Sequence, residues 1–253
     1  MKDWNGREIE IAKSKGCVLV AANPFDNLIS TGVSPWPPSE IVQKLYQSRQ
    51  VRAFSGEQRK VATRKLGYYC DIQSVHSEDA ITWSVFGTIA HASQQARSAW
   101  VKEFLSLLQL TSAADRTSEV FLWRRVPHPD TLVSGGPEVD FGILTKDVVV
   151  LGEAKWRSSV AENQGKARDK TQIDLRREFL YKYWDQIAGG GTKCAVLLVG
   201  FHTISWPSSR TKIPVPVRSL TWGQVCSLES HPLHDELIRY LAWKERNSKS
   251  GDE

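Results

Sequence analysis

Cysteine is scarce in this chain. Cys17, Cys70, Cys194 and Cys226 are the only four in 253 residues, and no two form a CxxC pair, which argues against a zinc knuckle. Two of them sit in apolar, strand-like runs, so buried free thiols in a reducing compartment are the simplest account. Long hydrophobic runs are missing as well. The longest, Val18–Ala22 and Ala195–Val199, are strand-sized and far short of the roughly 18 residues a membrane-crossing helix needs. The opening Met1-Lys2-Asp3-Trp4-Asn5 is polar and reaches Lys13-Ser14-Lys15 without an apolar signal region. Export and membrane attachment are therefore not expected, and a cytoplasmic location is. A P-loop, a dinucleotide fingerprint and a GxSxG elbow are all absent. His231-Pro232-Leu233-His234 has HxxH spacing, but its proline and the lack of further ligands nearby argue against zinc.

What is present is ordinary globular material: 41% hydrophobic and 24% charged residues. That suffices for one large domain, or one domain with an appended smaller one. A net charge of +5 admits a polyanionic partner without requiring one. Local balance says more. Lys44, Arg49, Arg52, Arg59, Lys60, Arg64 and Lys65 face a single acid, Glu57. Arg59, Lys60, Arg64 and Lys65 are the expected phosphate contacts of a nucleic acid. A second basic stretch, Arg157 to Lys182, is diluted by four acids, and a solvated helix face explains it equally well.

Periodicity organises the chain. A short strand is predicted at Cys17–Ala22, a helix from Pro38 to about Gln50, and a second, basic helix from Gly56 to Gly67. A soft boundary falls at Asp71–His76, which gives a basic, α-rich N-terminal region at 1–76 and a second domain at 77–253. Ser77-Glu78-Asp79 reads as a capped helix start, and Ile81, Val85 and Ile89 continue it as one apolar stripe. A helix follows at Arg97–Leu110, and strands at Glu119–Val126, Glu138–Leu144 and Val148–Trp156. A long helix over 163–187 stops at Gly189-Gly190-Gly191, followed by a buried strand at Cys194–Phe201. A Pro-interrupted segment at 206–217 precedes a closing helix at about 233–245. The order helix, three strands, helix, strand predicts an α/β fold, with a mixed central sheet flanked by helices.

Chemistry concentrates on Glu138-Val139-Asp140 and Glu153-Ala154-Lys155. If Lys146-Asp147 is a two-residue hairpin loop, Thr145 faces Val148, and counting back in step sets Asp140 opposite Glu153. Side chains so placed have Cβ atoms about 4.5–5.5 Å apart, close enough for two carboxylates to share one hard divalent cation. Glu153 and Lys155 lie two residues apart and so share a face. A one-residue slip would send Asp140 to the other face. An acid pair beside an ammonium suits phosphodiester hydrolysis. A carboxylate-held Mg²⁺ reverses the repulsion between acids and phosphate and activates a water, and the lysine steadies developing charge.

Asp140, then Glu153-Ala154-Lys155 after twelve intervening residues, on a hairpin between helices, resembles the PD-(D/E)XK nuclease superfamily. The resemblance spans roughly residues 77–201 and implies a restriction-endonuclease-like core. It implies that Asp140, Glu153 and the Ala154 carbonyl hold Mg²⁺, for which Mn²⁺ can substitute, and that Lys155 is the catalytic lysine. It also implies Glu78 as a further acid at the metal, and Gln172 as a site residue on the following helix. The leading pair departs from the family pattern: Pro137 is followed by Glu138, with Asp140 three residues on. Glu138 and Asp140 thus compete as ligand, and the register count favours Asp140. The implied activity is a DNA endonuclease of restriction, defence or mobile-element type, with nucleic acid as partner and a homodimer where both strands are cut. Two other readings share these residues: a non-cleaving nucleic-acid-binding or assembly subunit, and a structure-specific or RNA nuclease.

Overall fold

The computed structural model describes residues 1–13, 18–46, 71–110, 117–127, 138–158, 170–188, 193–204 and 213–248. In chain order these form β1 (Ile11–Lys13), β2 (Leu19–Ala21), α1 (Ser39–Tyr46), α2 (Glu78–Thr82), a π-helical turn (Trp83–Gly87) and α3 (Thr88–Ala90). There follow α4 (Gln94–Leu107), β3 (Glu119–Arg125), β4 (Glu138–Leu144), β5 (Val148–Ala154), α5 (Gln172–Ala188), β6 (Lys193–Gly200), β7 (Val217–Thr221), α6 (Trp222–Cys226) and α7 (His234–Asn247). No helix among the described residues is long and apolar enough to cross a membrane. The basic helix predicted at 56–67, with Arg59, Lys60, Arg64 and Lys65, lies outside the described residues.

The chain divides into two units, Ala92–His234 and a second made of Met1–His91 with Asp235–Glu253. The first holds the mixed sheet, in the order β3-β4-β5-β6-β7. β3, β4 and β5 are antiparallel, whereas β6 runs parallel to β5 and β7 parallel to β6. β5 is buried along its whole length and β6 everywhere but Lys193, the mark of strands covered on both faces. On one face Val149, Leu151, Val196 and Leu198 pack against Ile173, Phe179 and Leu180 of α5. Glu153 continues the alternation of Val149 and Leu151, which directs it to the α5 side.

Departures from the sequence reading are local. β7 was not predicted: its five residues follow Pro214 and Pro216, which mask a short edge strand, and the Pro216 carbonyl accepts the Val196 N–H at 3.0 Å. β5 ends at Ala154 rather than Trp156. α4 starts three residues before the expected Arg97, because Ser93 caps it and accepts the Ala96 N–H at 3.3 Å.

In the other unit, Ser77 caps α2 as expected, accepting the Ala80 N–H at 3.1 Å. Ile81, Val85 and Ile89 are all buried. The closing helix α7 belongs here. Trp4 stands edge-on to Tyr240 and Trp243, with ring centroids 4.8 and 5.4 Å apart, and the Trp243 indole donates to the Lys2 carbonyl at 3.0 Å. The unit limits fall at His91 and Asp235. Aromatic contacts between the two chain segments join what sequence order separates.

Candidate active site

The β4–β5 hairpin turns through Lys146-Asp147 alone. Thr145 N–H donates to the Val148 carbonyl at 2.9 Å, and Thr145 Oγ1 accepts the Val148 N–H at 3.0 Å. A threonine hydroxyl bonded to nearby backbone closes such a loop without glycine. From there the pairs run Leu144↔Val149, Ile143↔Val150, Gly142↔Leu151 and Phe141↔Gly152. The pairing ends at Phe141 and Gly152, one step short of Asp140 and Glu153, which the register counted from the sequence sets opposite each other. A Cβ on Gly152 would lie 2.1 Å from the Phe141 ring, so the bare glycine lets that ring cross the strand and pin the register one step from the acids.

The ladder stops there. Continued, it would send the Ala154 N–H to the backbone of β4; instead that N–H donates to Asp140 Oδ2 at 2.8 Å. The β3–β4 ladder is interrupted at the same level. Leu122 pairs with Phe141 and Arg124 with Val139, but the step between them, Trp123 against Asp140, is missing. Trp123 has φ = 50°, in the left-handed region that costs a bulky side chain of order 1–3 kcal/mol. Backbone distortion and strand divergence therefore coincide at Asp140.

Two cations converge on Glu153. Lys155 Nζ lies 2.8 Å from Oε1, and Arg176 of α5 pairs with Oε2. Arg176 is fully buried and donates a second bond, 2.6 Å long, to the Glu138 carbonyl. It thus ties the diverging end of β4 to Glu153. The backbone of Lys155 is held on both sides: its N–H donates to the Val199 carbonyl at 2.7 Å, and its carbonyl accepts the Trp222 indole N–H at 2.8 Å.

Electrostatics separates the two acids. Burial, and then the Glu153 charge, push the Asp140 carboxyl up to about 8, although Arg176, Lys155 and the Ala154 N–H pull the other way. Burial also acts to raise Glu153, but Arg176 and Lys155 together outweigh it and hold that carboxyl below its usual range. One acid is ionised and the other resists ionising beside it. A cation between the two would remove that conflict.

Glu138 does not join the pair. Its side chain lies 3.9 Å from Arg125 Nε, and its carbonyl serves Arg176. Gln172 opens α5, half-buried, one turn before Arg176 and so on the same helix face. Glu78 belongs to the other unit, where its charge acts on the buried Lys244. Arg176 and Trp222 are the site residues the sequence reading did not single out. Arg176 sits in an Arg-Arg pair of a mixed-charge helix and looks solvated. Trp222 is far from Lys155 in sequence, and no local pattern links them. Among the described residues, no group of three or more His, Cys, Asp or Glu side chains is placed to hold a metal ion. Two carboxylates on adjacent strands nonetheless suit Mg²⁺, which is commonly held by one or two carboxylates together with waters and substrate phosphate.

No protein-family model, curated protein or solved structure matches the chain.

Proposed function

We propose that the chain is a Mg²⁺-dependent nuclease of restriction-endonuclease-like fold, hydrolysing phosphodiester bonds, with DNA as substrate and endonucleolytic cleavage as the mode. The observation that carries this reading is the β4–β5 register, which ends at Phe141 and Gly152, one step before the two acids, with Asp140 Oδ2 accepting the Ala154 N–H at 2.8 Å and the Lys155 ammonium 2.8 Å from Glu153. Asp140 and Glu153 would hold the ion, with the Ala154 carbonyl beside them. When bound, Mg²⁺ would neutralise the scissile phosphate and lower the pKa of a coordinated water. Lys155, anchored at both backbone groups, would present its ammonium to that water or to the charge developing on the phosphate. Arg176 would tie Glu153 to the end of β4, and Gln172 would act from the same helix face. Glu78 enters this reading only as a first-turn acid of α2. Free, buried thiols at Cys194 and Cys226 suit a reducing, cytoplasmic setting. Cutting both strands of a duplex would call for two copies of the chain.

Incubation with supercoiled plasmid and Mg²⁺ or Mn²⁺ tests the reading. Nicking by the wild type is expected, with a loss of at least about a hundredfold in Asp140→Ala and Lys155→Ala. Binding without metal-dependent nicking would favour a non-cleaving nucleic-acid-binding subunit. Cleavage confined to branched or RNA substrates would favour a structure-specific or RNA nuclease using the same residues.

A further inference from the structure

Each oxygen of Glu153 already carries a cation of the protein's own. Lys155 takes Oε1 and Arg176 takes Oε2. With both acids ionised, Asp140, Glu153, Lys155 and Arg176 sum to zero charge, so a divalent ion approaching the pair meets two positive groups and an occupied Glu153. The two cations differ in freedom. The Lys155 side chain is 15% exposed, and an ammonium on a flexible stem can turn to a new partner. Arg176 cannot: its side chain is 0% exposed, and it is held between the Glu138 carbonyl, which accepts from Nη2, and the Glu153 carboxylate, which pairs with Nη1.

Building on the nuclease reading, we propose that Lys155 and Arg176 are internal counter-cations of the Asp140–Glu153 pair, and that Arg176 is the positioning residue that limits divalent-ion uptake by the free protein. A phosphate oxyanion arriving at the site offers Lys155 another partner and releases Oε1, whereas Arg176 stays. Ion and polyanion therefore bind more tightly together than apart, each raising the other's affinity by the same factor.

The test is Mn²⁺ binding, followed by electron paramagnetic resonance and calorimetry, on the full chain without nucleic acid. Removing one positive charge a few ångström from the ion is worth roughly tenfold or more in affinity. Lys155→Met and Arg176→Met should each bind Mn²⁺ at least about tenfold more tightly than wild type, with Arg176→Lys, which keeps the charge, within about threefold. A phosphorothioate duplex should tighten Mn²⁺ binding by wild type and have little such effect on Lys155→Met. Unchanged or weaker Mn²⁺ binding by folded Lys155→Met and Arg176→Met would overturn the proposal. If Arg176→Met does not fold, Lys155→Met decides, since the Lys155 side chain is partly exposed where that of Arg176 is fully buried. Absence of nicking by wild type would remove the nuclease reading and leave a positive Mn²⁺ result standing. Nicking combined with unchanged Mn²⁺ affinities would remove the counter-cation role alone.

Discussion

Lys244 shows how much one residue can carry. It lies on α7, fully buried, with its ammonium donating to the Val75 carbonyl. Burial pulls its pKa from 10.5 down to about 7, against the opposing pull of Glu78. A cation depressed in the folded state means that the unfolded chain binds more protons between about pH 7 and pH 10, so this residue's contribution to stability rises with pH across that window. Lys244→Met removes the burden. The variant should be more stable than wild type near pH 7, and its advantage should shrink as pH approaches 10, measured by chemical denaturation at each pH. A gap independent of pH would contradict the assignment. Glu78 illustrates the limit of sequence reasoning here. An acid in the first turn of a helix is legible from the helix dipole, but its partner Lys244, most of a chain away, is not.

The hairpin of β4 and β5 was the most legible element, and for a stated reason. A two-residue loop leaves one register, and an apolar run on β5 leaves one set of faces. What the pattern could not reveal is the device that holds the register, the Phe141 ring lying across Gly152. Gly152→Ala forces a methyl group into that ring. A cost of about 1–3 kcal/mol is expected from such overpacking, read as a lower denaturation midpoint, together with loss of nicking because the acids sit one step further on. Wild-type stability in this variant would mean that the ring moves aside freely and does not pin the strands. β7 was illegible for the opposite reason: it is short, at the sheet edge, and preceded by prolines that usually mark a loop.

At the scale of the whole molecule, the α/β class and most of the sheet followed from alternation and from the spacing of helices and strands. The grouping of segments into units did not, because α7 joins the N-terminal segment through Trp4, Tyr240 and Trp243, contacts without local signature. The same reasoning applies to the site. Asp140, Glu153 and Lys155 lie on one hairpin and could be assembled by counting. Arg176 and Trp222 reach them from α5 and α6 through the tertiary fold. The most direct measurement of whether the two acids share one ion is anomalous diffraction from crystals of the full chain soaked with Mn²⁺ in the presence of a short duplex. A single anomalous peak ligated by Asp140 and Glu153, lost in Asp140→Ala, is the expected result. No peak there, or a peak held by neither carboxylate, would contradict it.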